Sequence, residues 1–201
     1  KDSESLFRLS SFSIKKFKSL KYLILAADQN HVQAQCNLGS IYYNDIVFRN
    51  EDKSIYYLRL AADQNHIEAQ FTLGKIYNDI LFSKQNINES IYYLTLAANQ
   101  NHSEAQCRLG KIYYEGKYLK QNIEKSIYYF TLSSNQNNNI ALINLAIFYF
   151  EGKYTPADIN KSIYYFTLVA NEKNPIAYHY LSYIYYNDKY IQPNITKATY
   201  Y

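Results

Sequence analysis

A segment of this chain recurs every 35 or 36 residues. In each copy an alanine is followed four residues later by a leucine, then by a small residue, and three residues after that by a tyrosine. The five copies begin at Ala34, Ala69, Ala105, Ala141 and Ala177, and the last copy is truncated. A fixed period of this length is typical of a solenoid, in which each unit buries its apolar face only against its neighbours. The repeat therefore favours a binding function and identifies no ligand.

Each unit predicts two antiparallel helices, and hence an all-α, α/α superhelical fold. Ala34, Leu38 and Tyr42 lie at i, i+4 and i+8, which is a one-sided apolar stripe of helical period. Glycine inside a helix costs about 1 kcal/mol relative to alanine, so the small residue predicts a closely packed partner helix. The positions assigned to the structural repeat are Leu38, Gly39, Tyr42, Leu73, Gly74, Tyr77, Leu109, Gly110 and Tyr113.

Polar residues mark the helix boundaries at equivalent places in successive units. Asparagine and aspartate are among the best N-caps, because the side-chain oxygen accepts a free N–H of the first turn. The predicted N-caps of the second helices are Asn50, Asn86, Asn122, Asp158 and Asn194. Asparagine also substitutes best for glycine in a left-handed C-cap, which fits Asn30, Asn65, Asn101 and Asn137. Pro175 suits the first turn of a helix.

The combined pattern resembles the Sel-1-like repeat (SLR), a family of tetratricopeptide-like (TPR-like) superhelices. The motifs are Ala-x-x-x-Leu-Gly-x-x-Tyr, a loop such as Glu115-Gly116, Lys-Ser, and Ala-Ala-x-x-x-His. The resemblance covers about residues 19–201, and residues 1–18 are interpreted as a degenerate half-repeat or flank. Asp45, Asp79 and Asp188 stand at or near the place of the usual loop glycine.

Composition limits the classes of partner. The net charge of +4 is spread along the chain, whereas nucleic-acid binding needs clustered Lys and Arg; the densest run is Lys15 to Lys18. No apolar stretch approaches the roughly 20 residues that span a bilayer. The absence of Met and a C-terminal segment that begins a helix and stops favour a fragment of a longer array.

Candidate chemical groups give no catalytic, metal or cofactor site. His31, His66 and His102 recur once per unit, about 10 Å apart if helices are about 10 Å wide. One zinc ion with bonds of about 2 Å cannot bridge them, so we interpret them as turn residues that pack on the next helix. Glu104, Arg108, Lys111 and Glu115 share one helix face and predict a salt-bridged surface. The segment is predicted not to be an enzyme and to need no cofactor.

The two cysteines predict a reducing compartment. Cys36 and Cys107 are equivalent residues two units apart, about 20 Å by the same helix width, which is beyond disulfide reach. We expect both thiols, and His179 in the same column, to be buried. Cytoplasmic localisation follows as the expectation, with the lumen of the endoplasmic reticulum as the alternative. The sequons at Asn88, Asn101, Asn160 and Asn194 are expected by chance in a chain this rich in asparagine.

Superhelices of this class present the first helix of each unit along a concave groove. The non-core residues of that helix change from polar in the first units to apolar and aromatic in the last two. Exposed Tyr and Ile are typical of docking hot spots; coverage by further repeats or by a neighbouring chain is the equally weighted alternative. The candidate partner-binding residues are Arg108, Lys111, Asn144, Ile147, Ile176, Tyr180 and Tyr183.

The sequence thus predicts a non-catalytic scaffold or adaptor that binds a peptide or protein in the groove. Two alternatives from other classes stay open. The segment is also compatible with the regulatory tail of a larger, protein-kinase-like signalling enzyme, because similar arrays are fused to kinase domains. It is also compatible with a lumenal assembly subunit of protein quality control, as in other members of the family.

Overall fold

The computed structural model describes residues 18–79, 85–187 and 189–201. These residues form helices joined by short loops and contain no strand, which confirms the predicted all-helical class. The expectations for residues 1–17 and for Asp188 lie outside the described residues. A first helix, α1, ends at residue 28 and is described from residue 18. The others are α2 Val32–Asn44, α3 Glu51–Asp63, α4 Ile67–Asn78, α5 Ile87–Asn99, α6 Ser103–Glu115, α7 Ile123–Ser134, α8 Asn139–Glu151, α9 Ile159–Ala170, α10 Pro175–Tyr186 and α11 Ile195–Tyr200.

The chain divides into two compact units, Lys1–Gln100 and Asn101–Tyr201. In the first unit, α3 packs against α2 and α4, and α4 packs against α5. In the second unit, each helix from α6 to α11 packs against the next one along the chain. The even-numbered helices are the first helices of the repeats, and the odd-numbered helices are the second helices. Neighbouring first helices also touch, α2 with α4 and α6 with α8.

In the first three repeats, the glycine after the recurring leucine permits the predicted close approach of the two helices. A Cβ placed on Gly74 would lie 2.6 Å from Leu94 Cγ, and one on Gly110 would lie 2.7 Å from Phe130 Cδ1. The same crossing carries a hydrogen bond, because Ser126 Oγ donates to the Gly110 carbonyl at 2.8 Å. Equivalent bonds join Ser54 to Gly39 and Ser90 to Gly74. The glycine therefore permits close contact of the two helices, and the serine adds a hydrogen bond between them.

The predicted helix boundaries are confirmed. Every second helix from α3 to α11 begins after an Asn or Asp whose side chain accepts a first-turn N–H. The turn asparagines are left-handed, with φ from 59° to 66° at Asn30, Asn65, Asn101 and Asn137. Lys173 takes the same conformation in the next turn, with φ 59°. Pro175 occupies the first turn of α10, as expected.

The histidine column has a role that the sequence interpretation missed. His31, His66 and His102 are the N-caps of α2, α4 and α6, where Nδ1 accepts the N–H three residues on, at 3.1 to 3.3 Å. Asn138 and Asn174 cap α8 and α10 in the same way. Asparagine at the equivalent place in the last two units was the signal that identifies this column as caps.

The core consists of small clusters between successive helices rather than one centre. The assigned leucines and glycines of the structural repeat are all buried, as are Tyr42 and Tyr77, while Tyr113 is half-buried. The repeat tyrosine of each first helix, from Tyr42 to Tyr185, stacks on a tyrosine in or directly after the following helix, with ring planes within 17° of parallel. Core packing thus repeats once per helix pair.

Three glutamine pairs, each of one buried and one exposed side chain, were not anticipated from the sequence. Gln64 Nε2 donates to Gln35 Oε1 at 2.9 Å, and Gln100 and Gln136 bond to Gln70 and Gln106 in the same way. Gln35 is 1% exposed, so the amide needs these partners. Each pair therefore joins the first helix of one repeat to the end of the second helix of the same repeat.

The two thiols are free and buried, as expected. Burial raises the pKa of the Cys107 thiol to about 11. The expectation that His179 is buried in the same column is wrong, because its side chain is exposed. It lies edge-on to Tyr180, with ring centroids 5.7 Å apart. An imidazole is too polar to take the buried place of a thiol without hydrogen-bond partners.

Candidate protein-interaction surface

The first helices of the last two repeats carry exposed apolar side chains. Ile140 on α8 is 59% exposed, and Ile176 and Tyr183 on α10 are 46% and 43% exposed. Ile176 and Tyr183 are seven residues apart, which places them on one face of α10. The residues equivalent to Ile140 and Ile176 in earlier units are polar: Gln33, Glu68 and Glu104.

Two of the predicted docking residues contribute mainly to packing. Tyr180 is half-buried and stacks on Phe166, with centroids 4.7 Å apart and planes 11° from parallel. It also meets Phe150 edge-on at 5.4 Å. Ile147 is half-buried against the same hydrophobic cluster. These two side chains support the surface from below, since their apolar atoms are already in contact with α8 and α9.

The aromatic cluster extends to the exposed residue Tyr183. The Tyr183 ring lies 6.1 Å from the Phe150 ring and 5.7 Å from the Tyr190 ring. Contacts on two sides limit the rotamers open to this side chain. A tyrosine held in place offers contact area at low entropic cost on binding, so Tyr183 is the best-placed exposed aromatic on α10.

The charged and amide members of the predicted set are engaged within their own helices. Arg108 Nη2 lies 2.9 Å from Glu104 Oε1, and Lys111 Nζ lies 3.6 Å from Glu115 Oε1. The predicted salt-bridged face on α6 is therefore confirmed. Asn144 Nδ2 donates to the Ile140 carbonyl at 2.7 Å. When a partner binds, these groups must give up their existing hydrogen bonds and ion pairs, which reduces their net contribution to the binding free energy.

A polar cleft of about 390 Å³ lies in the first compact unit between α3 and α5. Arg59 Nη2 donates to the Tyr77 hydroxyl at 2.9 Å and lies 3.7 Å from Glu89 Oε2. In the second unit, Thr131 and Lys161 hold the equivalent positions. Arg59 and Glu89 thus form an ion pair between α3 and α5. The sequence pattern of either helix alone does not predict it.

The described part of the chain has no group of three or more His, Cys, Asp or Glu side chains placed to hold a metal ion. Among the same residues, no helix is long and apolar enough to cross a membrane.

Paired helices with small residues at the crossings define a TPR-like helical repeat protein. The family model of the Sel1 repeat matches residues 16–31, 32–66, 67–102, 103–138, 139–174 and 175–201. The chain therefore belongs to the Sel1 repeat family. Repeats of this family are generally protein-interaction scaffolds, and their fold is typically non-catalytic. A comparison with curated proteins finds no match.

Solved structures share the fold. A protective antigen of uropathogenic Escherichia coli strains, which displays an SLR fold, is 24% identical with a TM-score of 0.83. The match covers 89% of this chain and 38% of that antigen, so the chain spans well under half of its length. A Sel1 repeat protein from Oxalobacter formigenes is 26% identical with a TM-score of 0.74, over 91% of this chain and 76% of that one.

Proposed function

We propose that this protein is a non-catalytic scaffold that docks a peptide or protein partner on the first-helix face of α8 and α10. The exposure of Ile140, Ile176 and Tyr183 carries the proposal, because the equivalent residues of earlier repeats are polar. Clustered exposed apolar side chains mark interaction sites. In superhelices of this class, the first-helix face forms the concave groove.

The support beneath this surface favours an ordered docking site. Phe150 and Phe166 fix Tyr180 from two directions, and Phe150 and Tyr190 flank Tyr183. Hot-spot residues are typically aromatic side chains in well-packed surroundings. The flanking salt-bridged face of α6 supplies a polar rim, which is the usual surrounding of such a centre.

Affinity capture with a matched pair of variants tests the proposal. Ile176→Ser with Tyr183→Ser removes two exposed apolar side chains of α10, and neither is in the core. Tyr56→Ser with Tyr92→Ser removes two exposed tyrosines from second helices. Partners captured from native lysate are identified, produced separately and titrated against each protein by calorimetry. Circular dichroism establishes that all three proteins are equally helical.

We expect the α10 variant to bind its partner at least about tenfold more weakly, because burying such side chains contributes about 1.5 kcal/mol or more. The second-helix variant is expected to bind like the parent. Equal affinity of the α10 variant and the parent contradicts the proposal, and so does an equal loss in both variants. Tyr180 stays unchanged in this design because its truncation would disturb packing against Phe166.

A further inference from the structure

Three lysine–tyrosine pairs recur in the loops between first and second helices of the second compact unit. The lysine side chain folds over the ring of the next residue in each pair. Nζ lies 4.8, 4.9 and 5.5 Å from the ring centroids in Lys117–Tyr118, Lys153–Tyr154 and Lys189–Tyr190. Successive pairs are 36 residues apart, so each repeat of this unit presents one.

A second row of lysines follows in the first turns of α7, α9 and α11. Lys125, Lys161 and Lys197 lie over first-helix tyrosines, with Nζ 4.9 to 5.0 Å from the rings of Tyr113, Tyr149 and Tyr185. Loops and first turns lie at the same end of each helix pair. We call the six lysines of both rows the lysine edge.

The charge of the lysine edge is only partly balanced locally, because Glu115 and Glu151 lie next to the loops and interact with Lys117 and Lys153. Segments 115–125, 151–161 and 187–197 together contain seven lysines and five acidic residues. The equivalent segments of the first unit, 44–53 and 79–89, contain three basic and five acidic residues. Asp158 lies 3.6 Å from Lys161 and offsets part of one charge. The surplus of positive charge is therefore a property of residues 101–201 and complements an acidic partner.

The side chains of the three loop-row lysines are exposed. A hydrogen bond with the following tyrosine raises the pKa of Lys117 and of Lys153. Contact between an ammonium and a ring is worth about 0.5–1 kcal/mol at exposed sites. The ring restricts the side chain and leaves other N–H groups of the ammonium directed to solvent, so less entropy is lost when a carboxylate binds.

The ring faces favour peptide carboxylates over nucleotide bases. Sequence-tolerant binding of single-stranded nucleic acid uses open aromatic faces on which bases stack. Tyr149, for example, has Lys161 over its ring and also stacks on Tyr165, with planes 11° from parallel. The rings of Tyr113, Tyr149 and Tyr185 are thus each in contact with a lysine and with a stacked tyrosine, while the lysines themselves are exposed.

We propose that the lysine edge of residues 101–201 binds an extended acidic peptide with a carboxylate at about every third residue. Successive repeats advance by about 10 Å, the diameter of a helix. An extended chain advances about 3.3 Å per residue, so every third side chain meets the next repeat. This surface adjoins the apolar face of α10 through Tyr190, which lies under Lys189 and beside Tyr183, and its acidic ligand goes beyond the function proposed above.

Fluorescence anisotropy with a synthetic peptide tests the proposal. The probe is a labelled extended peptide with glutamate at every third position and Ser or Pro between. Its control has the same composition with all glutamates adjacent. We expect the spaced peptide to bind more tightly and to lose affinity as salt is added. Equal affinity of the two peptides, or no salt dependence, would overturn the proposal.

Two sets of variants locate the binding. Replacing the loop row Lys117, Lys153 and Lys189 with glutamine is expected to weaken binding about tenfold, since each exposed ion pair contributes about twofold or more. Replacing Lys18, Lys21 and Lys53 with glutamine removes equal charge from the first unit and is expected to change little. Similar losses in both sets, or none in the loop row, refute the assignment.

Two further measurements separate this proposal from its alternatives. An oligothymidylate of equal charge should bind more weakly than the spaced peptide; tighter binding that also depends on the loop row would assign the edge to nucleic acid. The single variant Ile176→Ser, which leaves Tyr183 and Tyr190 in place, should bind the peptide like the parent. Loss of peptide binding in that variant would place the peptide on the apolar face and overturn the assignment to the lysine edge.

Discussion

Ser126 and Ser162 occupy the same repeat position but differ in hydrogen bonding. Both are fully buried. Ser126 Oγ donates to the Gly110 carbonyl at 2.8 Å, whereas Ser162 Oγ has no hydrogen-bond partner in the part of the chain that the structure describes. The residue equivalent to Gly110 in that repeat is Ala146. Ala146 thus carries a Cβ at the helix crossing where Gly110 has none.

Alanine at each position therefore has a different expected effect. Ser126→Ala loses a buried hydrogen bond, which costs about 1 kcal/mol. Ser162→Ala removes a buried hydroxyl whose desolvation, about 1–3 kcal/mol, is not offset by a bond. We expect it to be neutral or stabilising by up to about 1 kcal/mol. The two variants should differ by about 1–2 kcal/mol, or roughly 2–8 °C in Tm for a chain of this size.

Urea unfolding followed by far-UV circular dichroism measures this difference. Both serines lie in the compact unit Asn101–Tyr201, so the two variants perturb the same cooperative region. Ser126→Thr is the control for retention of a hydroxyl. The reasoning is refuted if Ser162→Ala lowers the urea midpoint as much as Ser126→Ala does.

Three further predictions concern single groups. Lys173→Asn should raise the free energy of unfolding by about 0.5–1 kcal/mol, because Lys173 has φ 59° and asparagine tolerates that conformation better; an unchanged urea midpoint would contradict it. Arg59→Thr should rescue the loss caused by Glu89→Lys, with a coupling below about 1 kcal/mol for so exposed a pair in a double-mutant cycle; additive effects would exclude the coupling. Folding raises the pKa of Cys107 from 9.0 to about 11, so its stabilising contribution is complete below pH 9 and is lost as the pH rises to 11. The free energy of unfolding, measured by urea titration, should thus fall by about 1 kcal/mol more between pH 8 and pH 10 in the parent than in Cys107→Ala, and equal pH dependence would refute this.

The repeat made most of the fold predictable. Position-specific residues such as Gly74, Asn86 and Asn101 each have one dominant local use: close helix contact, N-cap and left-handed turn. Their recurrence at a fixed period indicated both helices and both boundaries of a unit. Local chemistry repeated in register is therefore enough to specify the helix pair, without knowledge of long-range contacts.

The features that were missed depend on pairs of residues from different helices. From the sequence alone, Gln35 is expected to be a polar surface residue, because its hydrogen-bond partner Gln64 lies in another segment. The ion pair of Arg59 likewise becomes apparent only when Glu89 is placed beside it. Tyr180 falls on the non-core side of an ideal helix, yet neighbouring aromatic rings half-bury it. Periodicity specifies the direction of a side chain and leaves open which large neighbour reaches over it.

Site-specific photocrosslinking tests the docking surface most directly. A photoreactive phenylalanine analogue replaces Ile176 in one protein and its polar equivalent Glu68 in another; both positions are exposed on first helices. Irradiation in native lysate is expected to give a discrete crosslinked protein from position 176 and none from position 68. Absence of a crosslink at 176, or the same product from both positions, would contradict the account that the apolar first-helix face docks the partner.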